Sequence, residues 1–474
     1  MPRKRFQCYP DLTAFTSFLD EHGGIITPEV LAKAIRKHRG NSGYNLKLCE
    51  RYEVLEEGVP IFRRKPRFAD DNGTQLNNRL NNDFFSEIID FKTGYFAGSP
   101  VTYAYSQTKE SESATGSSAE TEEAAKAVTD FTVHANMYDV DMQCVKYAAI
   151  CGYGARLFYI DPEKRENVMS IYPYQAILLS DTDEIYNPKY GIRYWKVRDM
   201  DNSILCKAEF YNSEVKISFS GSSFGNMQET GRIAHGFHMC PLQGIPNNSE
   251  LVGDAENVLS LIDAYDRCMS DCSNEVENFA QSYMVFENVQ IDDPTIQAAQ
   301  ASGSFHFWNG AGEGKIYYLT KDINDTFLQN YADRLEKNIF HRSKTPDLSS
   351  EAFGTASGIS LKFKLTELET KCGMLEAKMS AAGMYMFRLL SQSWKERLKI
   401  TVIPEQCCMS FSRNFPLDEL SEAQAVQAMV NAGLPKRVAF ENGFSFIDDI
   451  DYVMDLAAKE EDGVVSLYQT GREQ

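Results

Sequence analysis

Two stretches of the chain carry apolar residues at alternating steps of four and three. In 253–280 these are Val258, Ile262, Tyr265, Met269, Cys272, Val276 and Phe279. In 359–394 they are Leu361, Leu365, Leu368, Cys372, Leu375, Met379, Ala382, Met386 and Leu389. That spacing draws one stripe along an α-helix and predicts two long helices, each with a single packing seam. The polar positions of the first stretch are unbalanced: Asp254, Glu256, Asp263, Asp266, Asp271, Glu275 and Glu277 stand against Arg267 alone. Beside its seam this helix is therefore expected to present an acidic surface.

The periodicity changes elsewhere. Thr27 followed by Pro28 predicts a capped short helix over 27–40, with a second over 42–57. The stretch 79–105 predicts a helix ending near Gly94, then a Gly/Pro turn at Gly98–Pro100 and a strand. The polar, low-complexity run 106–123 predicts a surface loop leading into helix over 122–151. From Ala155 to Cys240 apolar and polar residues alternate between Asp-Pro, Asn-Pro and Gly breaks, predicting a mainly antiparallel sheet. Residues 281–320 read as short strands with a small helix at "DPTIQAAQA", and a helix over 322–341 carries Phe327, Leu328, Tyr331, Leu335 and Ile339. Short helices from Leu417, Pro435 and Asp448 close the chain. The fold class expected is α+β.

Composition narrows the function. The 474 residues are 43% hydrophobic, enough for a substantial core, and carry a formal net charge of −19. Such a chain repels a polyanion, which argues against binding DNA through phosphate neutralisation but not against a smooth conduit for it. No apolar stretch reaches the length of a membrane span and no secretory leader follows the basic start, so a soluble protein made in a cytoplasm is expected. The eleven cysteines are scattered without a C-x-x-C and are read as free, buried thiols.

Candidate chemistry is sparse. "GAGEGKIYY" (310–318) lacks the Ser or Thr after Lys315 and runs into a strand, so a hairpin turn is expected rather than a phosphate loop. "HGFHMC" gathers His235, His238 and Cys240 with no partner cluster, and a structural histidine pair at a strand end is favoured over zinc. Cys268 and Cys272 share a helix face and are read as core. No catalytic motif is present, so no enzyme, metal or cofactor is expected. The alternatives kept are a metal- or nucleotide-dependent nucleic-acid-processing enzyme using "HGFHMC" or the acidic helix, and a cytoplasmic oligomeric scaffold.

Three stretches in order resemble the portal (head-to-tail connector) family of tailed bacteriophages. "NNDFFSEIIDFKTGYFAGSPVTY" (81–103) is similar to its early wing, and "PLQGIPNNSELVGDAENVLSLIDAYDRCMSD" (241–271) to the start of its first stem helix. "GTASGISLKFKLTELETK" (354–371) is similar to its tunnel-loop exit. The resemblance implies a portal fold: an N-terminal arm (1–45), a mixed α/β wing (46–252), stem helices (253–280 and 321–343) and a small β-rich clip (281–320). A tunnel loop (344–358), a long wing helix (359–394) and an α-helical crown with tail (395–474) complete it.

It also implies a homo-oligomeric ring, typically of twelve, at one capsid vertex of a virion assembled in the host cytoplasm. Double-stranded DNA passes through without sequence specificity, and large terminase, head-completion or adaptor, major capsid and scaffolding proteins are the partners, with no membrane. The DNA-channel residues expected are Arg342, Lys344, Asp347, Leu348, Ser349, Ser350, Glu351, Gly354, Ser357, Gly358, Lys362 and Lys364. The bases either touch phosphates or pair with a neighbouring subunit. Asp263, Asp266, Asp271, Glu275 and Glu277 form the stem's acidic face, where like charge lets DNA slide. Phe305, Phe307, Trp308 and Tyr317 of the clip are expected at partner contacts or in its own core.

Overall fold

A computed structural model describes residues 9–66, 76–105, 118–182, 184–198, 200–280, 283–287, 315–319, 325–347, 358–414 and 419–444, with single positions 294, 297 and 454. The chain forms two compact units. Met1–Pro346 with Leu368–Ser412 is the first, and Asp347–Glu367 with Arg413–Gln474 the second.

The first unit is mixed α and β. Helix α1 (Tyr9–Glu21) precedes α2 (Pro28–Tyr52), whose N-cap Thr27 accepts from the Val30 amide as Thr-Pro predicted. In place of two helices, α2 runs unbroken through Gly40 and Gly43. Leu31, Ala34, Ile35 and His38 before the glycines, and Asn45, Leu48 and Cys49 after them, are all buried. That packing outweighs a cost of about 1 kcal/mol per helical glycine. The expected arm boundary at residue 45 thus falls inside this helix.

Helix α3 (Phe84–Ala97) continues three residues past Gly94. Helices α4 (Ser118–His134) and α5 (Met137–Cys151) are separated at Asn136, which takes a left-handed φ of 47°.

The alternating region forms two sheets. Strands β2 (Tyr153–Ile160), β3 (Glu166–Ile171) and β9 (Leu242–Pro246) are ordered β3-β2-β9. The second sheet, β4-β5-β6-β7-β8, uses β4 (Ala176–Leu179), β5 (Tyr190–Arg198), β6 (Ile204–Tyr211), β7 (Val215–Ser223) and β8 (Asn226–Ala234). Every described pairing is antiparallel, as the alternation predicted. The five-stranded sheet buries Ile192, Ala208, Phe210 and Ile217 against Leu31, Ala34 and Ile35 of α2.

One strand escaped the sequence reading. Cys407–Ser410 (β12), expected in a helical C-terminal region, pairs with Thr102–Tyr105 (β1), Thr102 opposite Ser410. This pairing draws 395–412 into the first unit.

Helices α6 (Leu259–Ala280) and α7 (Asp325–Ser343) pack together, and strands β10 (Tyr283–Glu287) and β11 (Lys315–Leu319) pair antiparallel between them in sequence. The expected turn at 310–314, the strand "GSFHFWN" and most of the small helix lie outside the described residues. Helix α8 spans Gly358–Arg397, and its seam matches the spacing: Leu365, Leu368, Cys372, Leu375, Met379, Ala382, Met386 and Leu389 are all buried.

The seam of α6 does not match beyond its first turns. Val258 and Ile262 are buried, but Val276 is 70% exposed, while Asp266 and Ser270 are buried. Cys268 and Cys272, read as core, are only half-buried. Seven of the ten described cysteines are buried free thiols.

In the second unit, helices α9 (Glu419–Asn431) and α10 (Lys436–Gly443) pack closely enough that a Cβ at Gly443 would meet the Val426 side chain at 2.2 Å. The helix expected from Asp448 lies outside the described residues.

Candidate functional site

The turn before α6, the end of α7 and the middle of α8 meet at one buried carboxylate, Asp254. Gly253 lets the chain approach α5 closely: a Cβ there would lie 2.3 Å from the Ile150 carbonyl. The Asp254 amide donates to Ala149 O at 2.7 Å, which turns its side chain inward. Lys92 Nζ of α3 sits 2.7 Å from Asp254 Oδ2 and donates to Asn247 Oδ1 at 2.7 Å. Lys371 Nζ of α8 lies 3.0 Å from Asp254 Oδ1 and donates to Ser343 O at 2.7 Å. Burial works to raise the Asp254 pKa, but the two ammonium groups outweigh it and hold the carboxyl below its ordinary value. Burial likewise lowers the Lys371 pKa, against the pull of Asp254.

This cluster fixes the end of α7. Lys344 is left-handed at φ 59°, its amide donates to His341 O at 3.4 Å, and the Thr345 amide donates to Phe340 O at 3.1 Å. Those bonds are a Schellman cap with lysine where glycine is usual. Of the carbonyls left over, Ser343 O takes Lys371 and Arg342 O takes Asn257 Nδ2 at 2.7 Å. The backbone leaving α7 towards 347 is thus rooted in both the turn before α6 and α8.

The acids of α6 are not a bare face. Residues 76–82 run as an extended strap against the helix. The amides of Asn78, Leu80 and Asn82 donate to Asn274 Oδ1 (2.8 Å), Ser270 Oγ (3.0 Å) and Asp266 Oδ1 (3.0 Å). Two residues of extended chain rise about 6.6 Å and four residues of helix about 6.0 Å, so every second strap amide meets every fourth helix side chain. Asn78 Nδ2 reaches Glu277 Oε1 at 2.9 Å, Arg51 pairs with Asp263 at 2.7 Å, and Arg64 pairs with Asp271. Glu275 is half-buried. Burial raises the Asp266 pKa, and the hydrogen bonds from Asn82 offset only part of it.

The remaining expected residues divide. Arg342 and Lys344 are exposed and have no ion pair among the described residues. Asp347 is half-buried, Lys364 is exposed, and Gly358 opens α8. Tyr317 is 45% exposed on β11. Leu348, Ser349, Ser350, Glu351, Gly354, Ser357, Phe305, Phe307 and Trp308 lie outside the described residues, as does the Lys362 side chain.

The "HGFHMC" side chains diverge. His235 Nε2 bonds Asn212 O at 3.0 Å, His238 Nε2 bonds Glu396 Oε2 at 2.9 Å, and the Cys240 thiol turns to Leu242 O. Among the described residues no cluster of three His, Cys, Asp or Glu could hold a metal ion. No described helix is long and apolar enough to cross a membrane.

Lys92, Lys371, Arg51, Arg64, Asn78 and Asn82 were not singled out from sequence. The one signal present was the Asn-Asn and Gly-Asp of 247–254. Asn247 and Asn248 both donate to Val252 O, at 2.9 and 2.8 Å, and shape the loop that delivers Asp254.

Comparison with known proteins defines the class. A family described as "Phage portal protein, SPP1 Gp6-like" matches residues 34–466. The portal protein of Clostridium phage phiCD119 is 23% identical over 441 residues, covering 86% of this chain and 89% of that protein. The portal protein of Bacillus phage SPP1 is 22% identical over 457 residues, covering 93% of this chain and 84% of that protein. The chain is a structural component of a phage particle rather than an enzyme. It belongs to the SPP1 Gp6-like family of phage portal proteins, whose members form an oligomeric ring at a capsid vertex. DNA enters and leaves the head through that ring, and the enzyme alternative finds no support in these relatives.

Proposed function

We propose that the ring has twelve copies, assembled in the host cytoplasm, and that the loop after α7 is its contact with double-stranded DNA. In this reading the antiparallel sheets and their helices are the wing, α6 and α7 the stem, and β10 and β11 part of the clip. Helix α8 is the long wing helix, and the second unit includes the crown. The clip docks large terminase and the head-completion or adaptor protein, with Tyr317 among its contacts. The wing and crown meet the major capsid and scaffolding proteins.

One observation carries the loop assignment: the root formed by Asp254, Lys371 and Ser343 holds the end of α7, and beside it stand Arg342 and Lys344 without ion pairs among the described residues. Two cations at a fixed root meet passing phosphates while the chain as a whole, at −19, discourages adhesion. Charge reversal by Lys344→Glu tests this. Rings seen by negative-stain electron microscopy are expected to assemble, while DNA packaged per prohead falls at least tenfold. Normal packaging would remove Lys344 from the channel, and failed assembly would place it against a neighbouring subunit.

A further inference from the structure

Helix α2 crosses the five-stranded sheet beside a concave groove of about 380 Å³. Tyr174 from the turn before β4, Tyr194 and Trp195 from β5 and Phe224 from the β7–β8 connection are among its lining residues; Tyr194 and Phe224 also belong to the core beneath α2, and Arg193 lies 4.5 Å from the Trp195 ring. Arg39 of α2 and Lys196 of β5 stand at the same groove. Arg39 rests on the Phe224 ring at 5.1 Å, and neither cation has a carboxylate partner among the described residues.

Gly43 supplies a second, independent observation. It lies inside α2, where glycine costs about 1 kcal/mol relative to alanine. Close packing does not demand it, since a Cβ built there meets nothing within 4 Å. Its φ is not left-handed, so backbone geometry does not demand it either. What the missing side chain does provide is room, because Gly43 lines the groove. An open, aromatic recess of this size accepts one large apolar side chain, and the cations beside it select carboxylates flanking that side chain.

We propose that this groove docks a partner protein through a short acidic segment with an aromatic anchor. The site is remote in sequence from the loop after α7, and the proposal does not rest on the ring or on DNA contact. A nucleic acid fits less well: affinity for phosphate needs a longer run of cations than the pair present here.

The test uses the full-length protein and a fluorescein-labelled twelve-residue peptide with one central phenylalanine between aspartates, read by fluorescence anisotropy. Saturable binding that weakens with salt is expected. Lys196→Glu should weaken it at least tenfold, and so should replacing the peptide's phenylalanine by alanine. Gly43→Leu is the decisive variant. It improves helix propensity and its Cβ meets nothing within 4 Å, so circular dichroism and thermal melting should be unchanged or better while the filled groove loses the peptide at least tenfold. Binding that survives Gly43→Leu, or no binding at all, overturns the proposal. So does a twelve-nucleotide single strand that binds as tightly and depends on the same residues, which would make the groove a nucleic-acid site.

Discussion

Asp254 and Asp266 were read alike, as acids of one helix surface, and both are buried. Their surroundings differ. Asp254 meets two ammonium groups and an asparagine, whereas Asp266 meets the backbone and side-chain amides of Asn82. The lysines hold the first carboxyl below its ordinary pKa, and burial lifts the second above it. Burial alone therefore does not say what a carboxylate contributes; the charge facing it does.

The sharpest way to break the comparison is the same isosteric substitution at both positions. Asp254→Asn leaves Lys92 and Lys371 buried without a counter-charge, and should cost about 3–5 kcal/mol, read from the denaturant midpoint of the purified protein. Its pH dependence carries a definite sign. The folded pKa of Asp254 lies below the unfolded value of 3.8, so its stabilisation is complete above that pH and is lost as pH falls through the folded pKa. Below that point wild type and Asp254→Asn should converge. A variant as stable as wild type at pH 7 would mean that the lysines hold the root without it.

The contrast also separates what was legible in the sequence from what was not. Local rules worked where the partners are near in sequence or where one face is packed along a whole element. Thr27 and Pro28 cap α2, and the α8 seam is buried from Leu365 to Leu389. They failed where a distant segment decides. The α6 seam follows spacing until the strap, nearly 200 residues earlier in the chain, buries Asp266 and Ser270 and leaves Val276 out. β1 and β12 likewise meet across some 300 residues; the strand after the Gly/Pro turn was expected, but its partner β12 is too short to declare itself. Periodicity reports that a face is covered but not by what. For the expected channel and clip residues it reported composition alone.

A middle-sized effect tests a third buried titratable group, one kept neutral. His38 of α2 shares a 2.8 Å hydrogen bond with the Tyr194 hydroxyl, and burial lowers its pKa to about 3. The unfolded chain takes up that proton near pH 6.5, so stability is full above 6.5 and declines as pH falls towards 3. Between pH 7 and pH 5 the loss from this group is about 2 kcal/mol at 1.4 kcal/mol per unit. His38→Gln should flatten the stability curve by that amount. Parallel wild-type and variant curves would mean that His38 accepts its proton in the folded state.

The smallest effect is the most discriminating. Asp266→Asn keeps an oxygen where Asn82 donates from both its amide and its side chain, and removes a charge that burial disfavours. The folded pKa of Asp266 lies above the unfolded 3.8, so wild-type stability from this group declines as pH rises from 3.8 through the folded value. The variant lacks that decline. At pH 7 it should match wild type within about 1 kcal/mol, on the stabilised side if on either, where the same change at Asp254 is strongly destabilising. A large loss at Asp266 would show that Arg51, rather than the strap amides, supplies what holds this carboxylate. Arg51→Gln would then reproduce the loss, and the two acids would be one kind of site after all.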